Sequence, residues 1–175
     1  MKKINLPLTK EVICTLKAGD SVLLSGKVFT ARDAGHKRLV AMTEQNKPLP
    51  IDLENATVYY VGPCPSKPRQ IIGSCGPTTS GRCDSYTPTL LQHGLVGMIG
   101  KGWRNDDVVE SMKKHGAVYF AAIGGAGALY ASCVQKADLI AFEDLGAEAL
   151  FELEIKDFPA VVATDCHGNS IYKKQ

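Results

Sequence analysis

No apolar run in this 175-residue sequence approaches the roughly 20 residues that a membrane-spanning helix needs. The opening MKKINLPLTKEV has basic residues but no apolar segment behind them, so no secretory leader is expected and a cytoplasmic chain is. An excess of one sign of charge is also missing, with 20 Lys and Arg against 18 Asp and Glu. A formal net charge of +2 is too small for a nucleic-acid or membrane surface, so neither is expected as a partner. Six cysteines are present (Cys14, Cys64, Cys75, Cys83, Cys133 and Cys166), yet none forms a C-x-x-C pair, and no histidines show zinc-finger spacing. No metal site is therefore expected within this chain, and the cysteines read as free thiols of a reducing compartment. Repeats and low-complexity segments are missing too. What remains is an apolar fraction of 45% against 22% charged, the balance of a chain that buries a core. Its length fits one domain over residues 1–175.

The hydrophobic rhythm alternates between strand and helix. DSVLLSGKVF reads as a buried strand, ARDAGHKRLVAMTEQ as a short helix and NKPLPIDLEN as a proline-punctuated connection. TVYYVGP is a strand ending at a turn, and SYTPTLLQHG a helix closed by Gly94. LVGMIGKG is a strand ending in glycines. NDDVVESMKKHG is a helix with acids in its first turn, bases in its last and Gly116 after it. AVYFAAIGG predicts a strand, AGALYASCVQK a helix packed on a strand through small residues, and ADLIAFED and ALFELEI two more strands. FPAVVATDCHGNSIYKK predicts a hairpin turning at His167-Gly168-Asn169. Together these imply an α/β fold with a mixed sheet and flanking helices.

Three polar clusters fall at strand ends, where such folds place ligands: TARDAGHKR, GPTTSGRCD and IGKGWRN. Each presents a cation, namely Arg32, Arg82 and Lys101. Gly81 and Gly100 beside two of them permit close backbone approach. Three converging cations suit a small di-anion such as a dicarboxylate. Thr78 and Thr79 would add hydroxyls for substrate bonding or proton transfer. Each feature also has a plainer reading. Arg32-Asp33 serves equally as a surface ion pair, Thr78 and Thr79 as turn caps, Lys101 as a solvated loop residue and His36 as a structural histidine. GGAGALYA is a poor dinucleotide fingerprint, because Tyr130 stands where its third small residue belongs.

The motif GPTTSGRCDSY, with IGKG after it, ARDAGHKR before it, and DLGAEAL and DFPAVV following, closely resembles the β region of iron–sulfur class I fumarases and L-tartrate dehydratases. The resemblance covers nearly the whole chain, and the pairing of GPTTSGR with GKG is its specific part. It implies a swivelling β/β/α domain, fused to or assembled with an α region that holds a [4Fe-4S] cluster on three cysteines. This chain then looks like the β subunit, with the cluster on an α partner in an α2β2 assembly. The implied reaction is reversible hydration of fumarate to malate, or alternatively dehydration of L-tartrate to oxaloacetate. A non-catalytic anion-binding or assembly domain of the same fold is the third reading. By motif matching, Arg32, Arg82 and Lys101 would hold the substrate carboxylates. Thr78 would be the base, although a free threonine is so weak an acid that the role needs strong activation. Thr79, Asp33, His36 and Asp84 would support them. The family often has Met where this chain has Cys83, a departure beside the site arginine that is expected to be tolerated.

Overall fold

A computed structural model describes residues 1–172 of the chain. The elements run β1 (Lys2–Asn5), α1 (Lys10–Thr15), β2 (Ser21–Thr30), α2 (Asp33–Glu44), β3 (Thr57–Tyr59), a 3-10 turn at Ser80–Cys83 and α3 (Thr87–Gln92). They continue with β4 (Gly97–Gly100), α4 (Asp106–His115), β5 (Val118–Ala121), α5 (Gly127–Cys133), β6 (Val134–Ala141), a second 3-10 segment at Glu143–Glu148, and β7 (Leu150–Thr164).

Neighbours from β1 through β5 pair in parallel, whereas β7 runs antiparallel to β2, β5 and β6. Because β7 pairs with both β2 and β5, the strands β2-β3-β4-β5-β7 form a closed ring. Alternation along each strand then sorts side chains to two faces. Val28, Tyr59, Ile99, Phe120 and Val162 belong to one apolar cluster, drawn from all five ring strands. Val58, Met98 and Tyr119 face the other way and meet Leu39 of α2, Leu90 of α3, and Val108 and Met112 of α4. The mixed sheet and flanking helices expected from the sequence are both present.

Local chemistry explains most boundaries. The Asn105 side chain caps α4 by accepting the Val108 N–H at 2.9 Å, and Gly116 ends the helix at φ +69°. Gly26 sits in β2 at φ +126°, beside a register shift against β7, and an added Cβ there would lie 2.7 Å from the Leu6 carbonyl oxygen. This bulge lets β2 pair with β1 along its first half and with β3 at its end.

Five features differ from the sequence expectations. β1 and α1 were not foreseen, since β1 buries only Ile4 and α1 only Ile13. ALFELEI and FPAVV are one strand, β7, because Asp157 bulges rather than breaks it and donates its N–H to Ser25 Oγ at 2.9 Å. α5 stops at Cys133, and Val134–Lys136 pair with β7 instead of extending the helix. Among the described residues the expected terminal hairpin shrinks to a turn with one bridge, Thr164–Ser170. The Asp165 carboxylate shapes that turn by accepting N–H groups from His167 and Asn169, each at 3.0 Å. Residues 173–175 of the expected return strand lie outside the described residues. Among the described residues, no helix is long and apolar enough to cross a membrane.

Candidate functional site

Strands β2 to β5 are parallel, so their C-terminal ends share one edge of the sheet. All three cation-bearing clusters leave from that edge. At its centre, the Thr78 N–H donates to the Tyr60 carbonyl at 2.7 Å, and Thr78 Oγ1 donates to the same oxygen at 2.9 Å. The Lys101 N–H donates to the Thr78 carbonyl at 3.3 Å, and the Ser80 N–H to the Lys101 carbonyl at 2.9 Å. Thr78–Ser80 is thus laid as an extra ribbon against the exit of β4, with Thr79 bridging to Lys101.

Glycines let the segments approach. A Cβ on Gly100 would strike the Ser80 hydroxyl and the Tyr60 ring. Beyond β5, Gly124 lies under Lys101, whose Nζ would be 3.8 Å from an added Cβ. Arg82 follows on the 3-10 turn and is exposed, as is Lys101. Thr79 precedes that turn, with no cap bond from its side chain among the described residues. The buried Ser80 hydroxyl meets Tyr119 OH at 2.9 Å, and Tyr119 donates to the Gly102 carbonyl. Ser80 is therefore the donor in the first of these bonds.

Arg32 sits just before α2, across Gly62, where an added Cβ would crowd its Cδ at 2.9 Å. Its ion-pair partner is Glu148, not Asp33: Nε lies 3.1 Å from Glu148 Oε1, at an angle that makes an ion pair but not a hydrogen bond. Asp33 opens α2 and faces Cys83, where its charge adds to burial in pushing the thiol up to about 12. Cys83 is buried in the helix-side cluster and packs as a small apolar residue.

His36 is fully buried with its ring edge on Tyr60, 5.0 Å between centroids. Nδ1 lies 2.9 Å from the Arg32 carbonyl, which only accepts, so Nδ1 carries the proton. Nε2 meets no hydrogen-bond partner among the described residues. Burial pushes the imidazole down to about 4, despite the Arg32 carbonyl, and Arg104 adds to the fall. Asp84 accepts from Arg104 Nε at 2.6 Å and from the Asn105 N–H at 2.9 Å.

The structure thus joins Thr78, Thr79 and Lys101 directly, sets Arg82 just beyond them and places Arg32 at the neighbouring strand exit. His36 and Asp84 lie behind that surface, and Asp33 at the start of α2.

The family profile described as Fumarase C-terminus matches residues 1–175. The chain belongs to the Fumarase C-terminus family. A Methanocaldococcus jannaschii protein provisionally named L(+)-tartrate dehydratase subunit beta is 39% identical over 173 residues, covering 95% of this chain and 89% of that protein. Fumarate hydratase 2 of Leishmania major is 37% identical over 158 residues, 89% of this chain and 28% of that protein. The anaerobic class I fumarate hydratase of Escherichia coli K12 is 34% identical over 176 residues, 98% of this chain and 32% of that protein. As a Fumarase C-terminus member, the chain spans nearly all of the first relative and only about a third of the last.

Two residues of this Fumarase C-terminus domain escaped the sequence reading. Arg104 lay inside the noted IGKGWRN cluster but carried no signal of burial. Glu148 lay inside DLGAEAL, and only folding brings it to Arg32. GGAGALYA meets the expected helix–strand packing through Tyr130, whose ring stacks on Phe158 of β7 at 4.4 Å, but not through its glycine. Gly127 packs against the Ser74–Gly76 loop rather than a strand, and an added Cβ would meet Ser74 Oγ and lie 3.0 Å from the Gly76 nitrogen.

The buried His36 sets a pH dependence. Its folded pKa of about 4 lies below the ordinary 6.5, so the unfolded chain takes up the proton first as pH falls. His36 leaves stability unchanged above that ordinary value. Stability is then lost as pH falls from 6.5 to about 4, by on the order of 3 kcal/mol. Urea denaturation at both ends of this window is expected to show a smaller loss for His36→Gln. Equal losses in variant and wild type would remove His36 as the cause.

Proposed function

We propose that this chain is the β component of a hydro-lyase that reversibly hydrates fumarate to malate and works only with an α partner. The observation that carries it is the ribbon Thr78–Ser80, bonded between Tyr60 and Lys101 at the strand exits, with Arg82 on the turn that follows it and Arg32 at the exit of β2. Removing a proton beside a carboxylate builds negative charge on that carboxylate. Fixed cations there stabilise the transition state more than the ground state. Arg32, Arg82 and Lys101 hold the carboxylates. Thr78 moves the proton at the substrate carbon, and the surrounding cations favour its deprotonated oxygen. The Tyr60 carbonyl aims that hydroxyl but opposes its ionisation, so activation comes from the cation side. Thr79, Asp33, His36 and Asp84 support this surface.

A [4Fe-4S] cluster does not fit this chain. Among the described residues no three or more His, Cys, Asp or Glu are grouped to hold a metal ion. Burial pushes the Cys75 thiol up to about 12, against the thiolate form that ligation needs. The cluster is assigned to the α partner, and no step is derived through it. Exposed apolar residues support a docked partner: Ile71 follows β3, Trp103 follows β4 and Ile123 follows β5, with Trp103 66% exposed. On this reading the domain is the swivelling β/β/α element of a cytoplasmic α2β2 assembly, closing over a small dicarboxylate.

L-tartrate dehydratase is the second reading, favoured by the 39% identity to the M. jannaschii relative. Turnover of malate, fumarate and L-tartrate by the reconstituted complex decides between the two substrates. If the complex turns over none of them and the isolated chain binds dicarboxylates, the domain is a binding module. The β chain purified alone under anaerobic conditions is expected to lack iron, sulfide and turnover, and to gain turnover with the partner. Stoichiometric iron and sulfide with a visible cluster absorption band would sink the assignment of the cluster to the partner.

A further inference from the structure

We propose that Arg104 is a positioning residue, whose one buried guanidinium holds the Arg82 turn, the Lys101 loop and the Thr78 anchor in register. Its side chain is fully buried. Nε donates to Asp84 Oδ1 at 2.6 Å, Nη2 to Thr87 Oγ1 at 2.8 Å and Nη1 to Tyr60 OH at 3.1 Å. Each acceptor adjoins a site residue in the chain or anchors one. Asp84 and Thr87 follow Arg82 closely, and Thr87 Oγ1 in turn donates to the Cys83 carbonyl at 2.8 Å. Tyr60 supplies the carbonyl that receives both the N–H and the hydroxyl of Thr78. Arg104 itself ends the short loop that starts at Lys101. Its guanidinium carbon sits 5.1 Å from the ring centroids of both Tyr60 and Tyr119, and Tyr119 pins the same loop at Gly102.

Stability alone is a poor reason for such a residue. A buried charge costs solvation, and well-packed apolar side chains often replace a buried ion pair without loss. What an apolar residue or a lysine does not supply is a rigid planar fan of donors reaching three segments at once. The inference rests on the carboxylate site proposed above, and its experiment separates the two.

In the complex reconstituted with the cluster-bearing partner, Arg104→Lys, Tyr60→Phe and Arg82→Lys are compared with wild type well below their melting temperatures. The readouts are kcat/KM, competitive inhibition by succinate and by butyrate, and Tm. Arg104→Lys is expected to lower kcat/KM about fivefold. Inhibition by the dicarboxylate succinate should weaken more than inhibition by the monocarboxylate butyrate, because the cations lose their mutual spacing. A purely structural role lowers Tm without moving that ratio. Tyr60→Phe loses only the hydroxyl and should shift the ratio in the same direction, by less. Wild-type kcat/KM and an unchanged ratio in folded Arg104→Lys overturn the proposal. If that variant does not assemble, wild-type behaviour of Tyr60→Phe overturns it instead. Should Arg82→Lys keep wild-type succinate inhibition, the carboxylate site itself is misplaced. If Arg82→Lys loses that inhibition and Arg104→Lys does not, only the positioning role falls.

Discussion

Thr78→Val is expected to lower kcat by at least about a hundredfold while the complex still assembles, the low end for losing a general base. Valine keeps the branched shape and removes the hydroxyl. The ribbon should stay in place, because the Thr78 N–H to Tyr60 carbonyl bond and both bonds to Lys101 are made by backbone. What is lost is the Oγ1 donation to Tyr60, 2.9 Å long. If that bond is only an anchor, the variant loses about 1 kcal/mol of stability and keeps its kcat. Thr78→Ser retains a hydroxyl with a freer χ1, so the proton-transfer role gives it partial activity. Exchange of the substrate's carbon-bound proton with deuterated solvent separates the roles directly. Wild-type exchange in Thr78→Val would exclude Thr78 as the base and turn attention to Thr79 or the partner.

Arg82→Lys is expected to lower kcat/KM at least about tenfold, equal to roughly 1.4 kcal/mol, with little change in stability. Arg82 is exposed on the 3-10 turn, and its charge shows no ion-pair partner among the described residues. Arg32, by contrast, already faces Glu148. Lysine preserves the charge of Arg82 but not the fork that grips a carboxylate with two parallel bonds. Since the side chain is exposed, a kinetic loss without a drop in Tm points to the substrate. Wild-type turnover in this variant would mark Arg82 as an ordinary surface residue of the turn.

Much of this architecture is legible in local sequence patterns. The helix at Asp106–His115 announces itself through its acids, its bases and Gly116, because caps and dipole preferences act within one turn of chain. GPTTSGR and GKG mark the ribbon and the loop that bonds to it, since glycines and hydroxyls signal close backbone approach at any distance in sequence. Short β1 and α1 stay hidden because each buries a single apolar residue and so has no periodicity to read. Asp157 and Pro159 look like breaks, yet β7 passes through both. A bulge opposite Ser25 absorbs the irregularity, and only long-range pairing can establish that.

The composition, the element types, the three cations and the threonines at the strand exits were determined by sequence alone. They depend on side-chain chemistry and on short-range spacing. The tertiary structure decided that Arg32 meets Glu148 rather than Asp33, that β7 closes the strands into a ring, and that Arg104 is buried among Asp84, Thr87 and Tyr60. Each of these joins residues distant in sequence, and the energy of burying or pairing a charge exists only once the chain has brought its partner there.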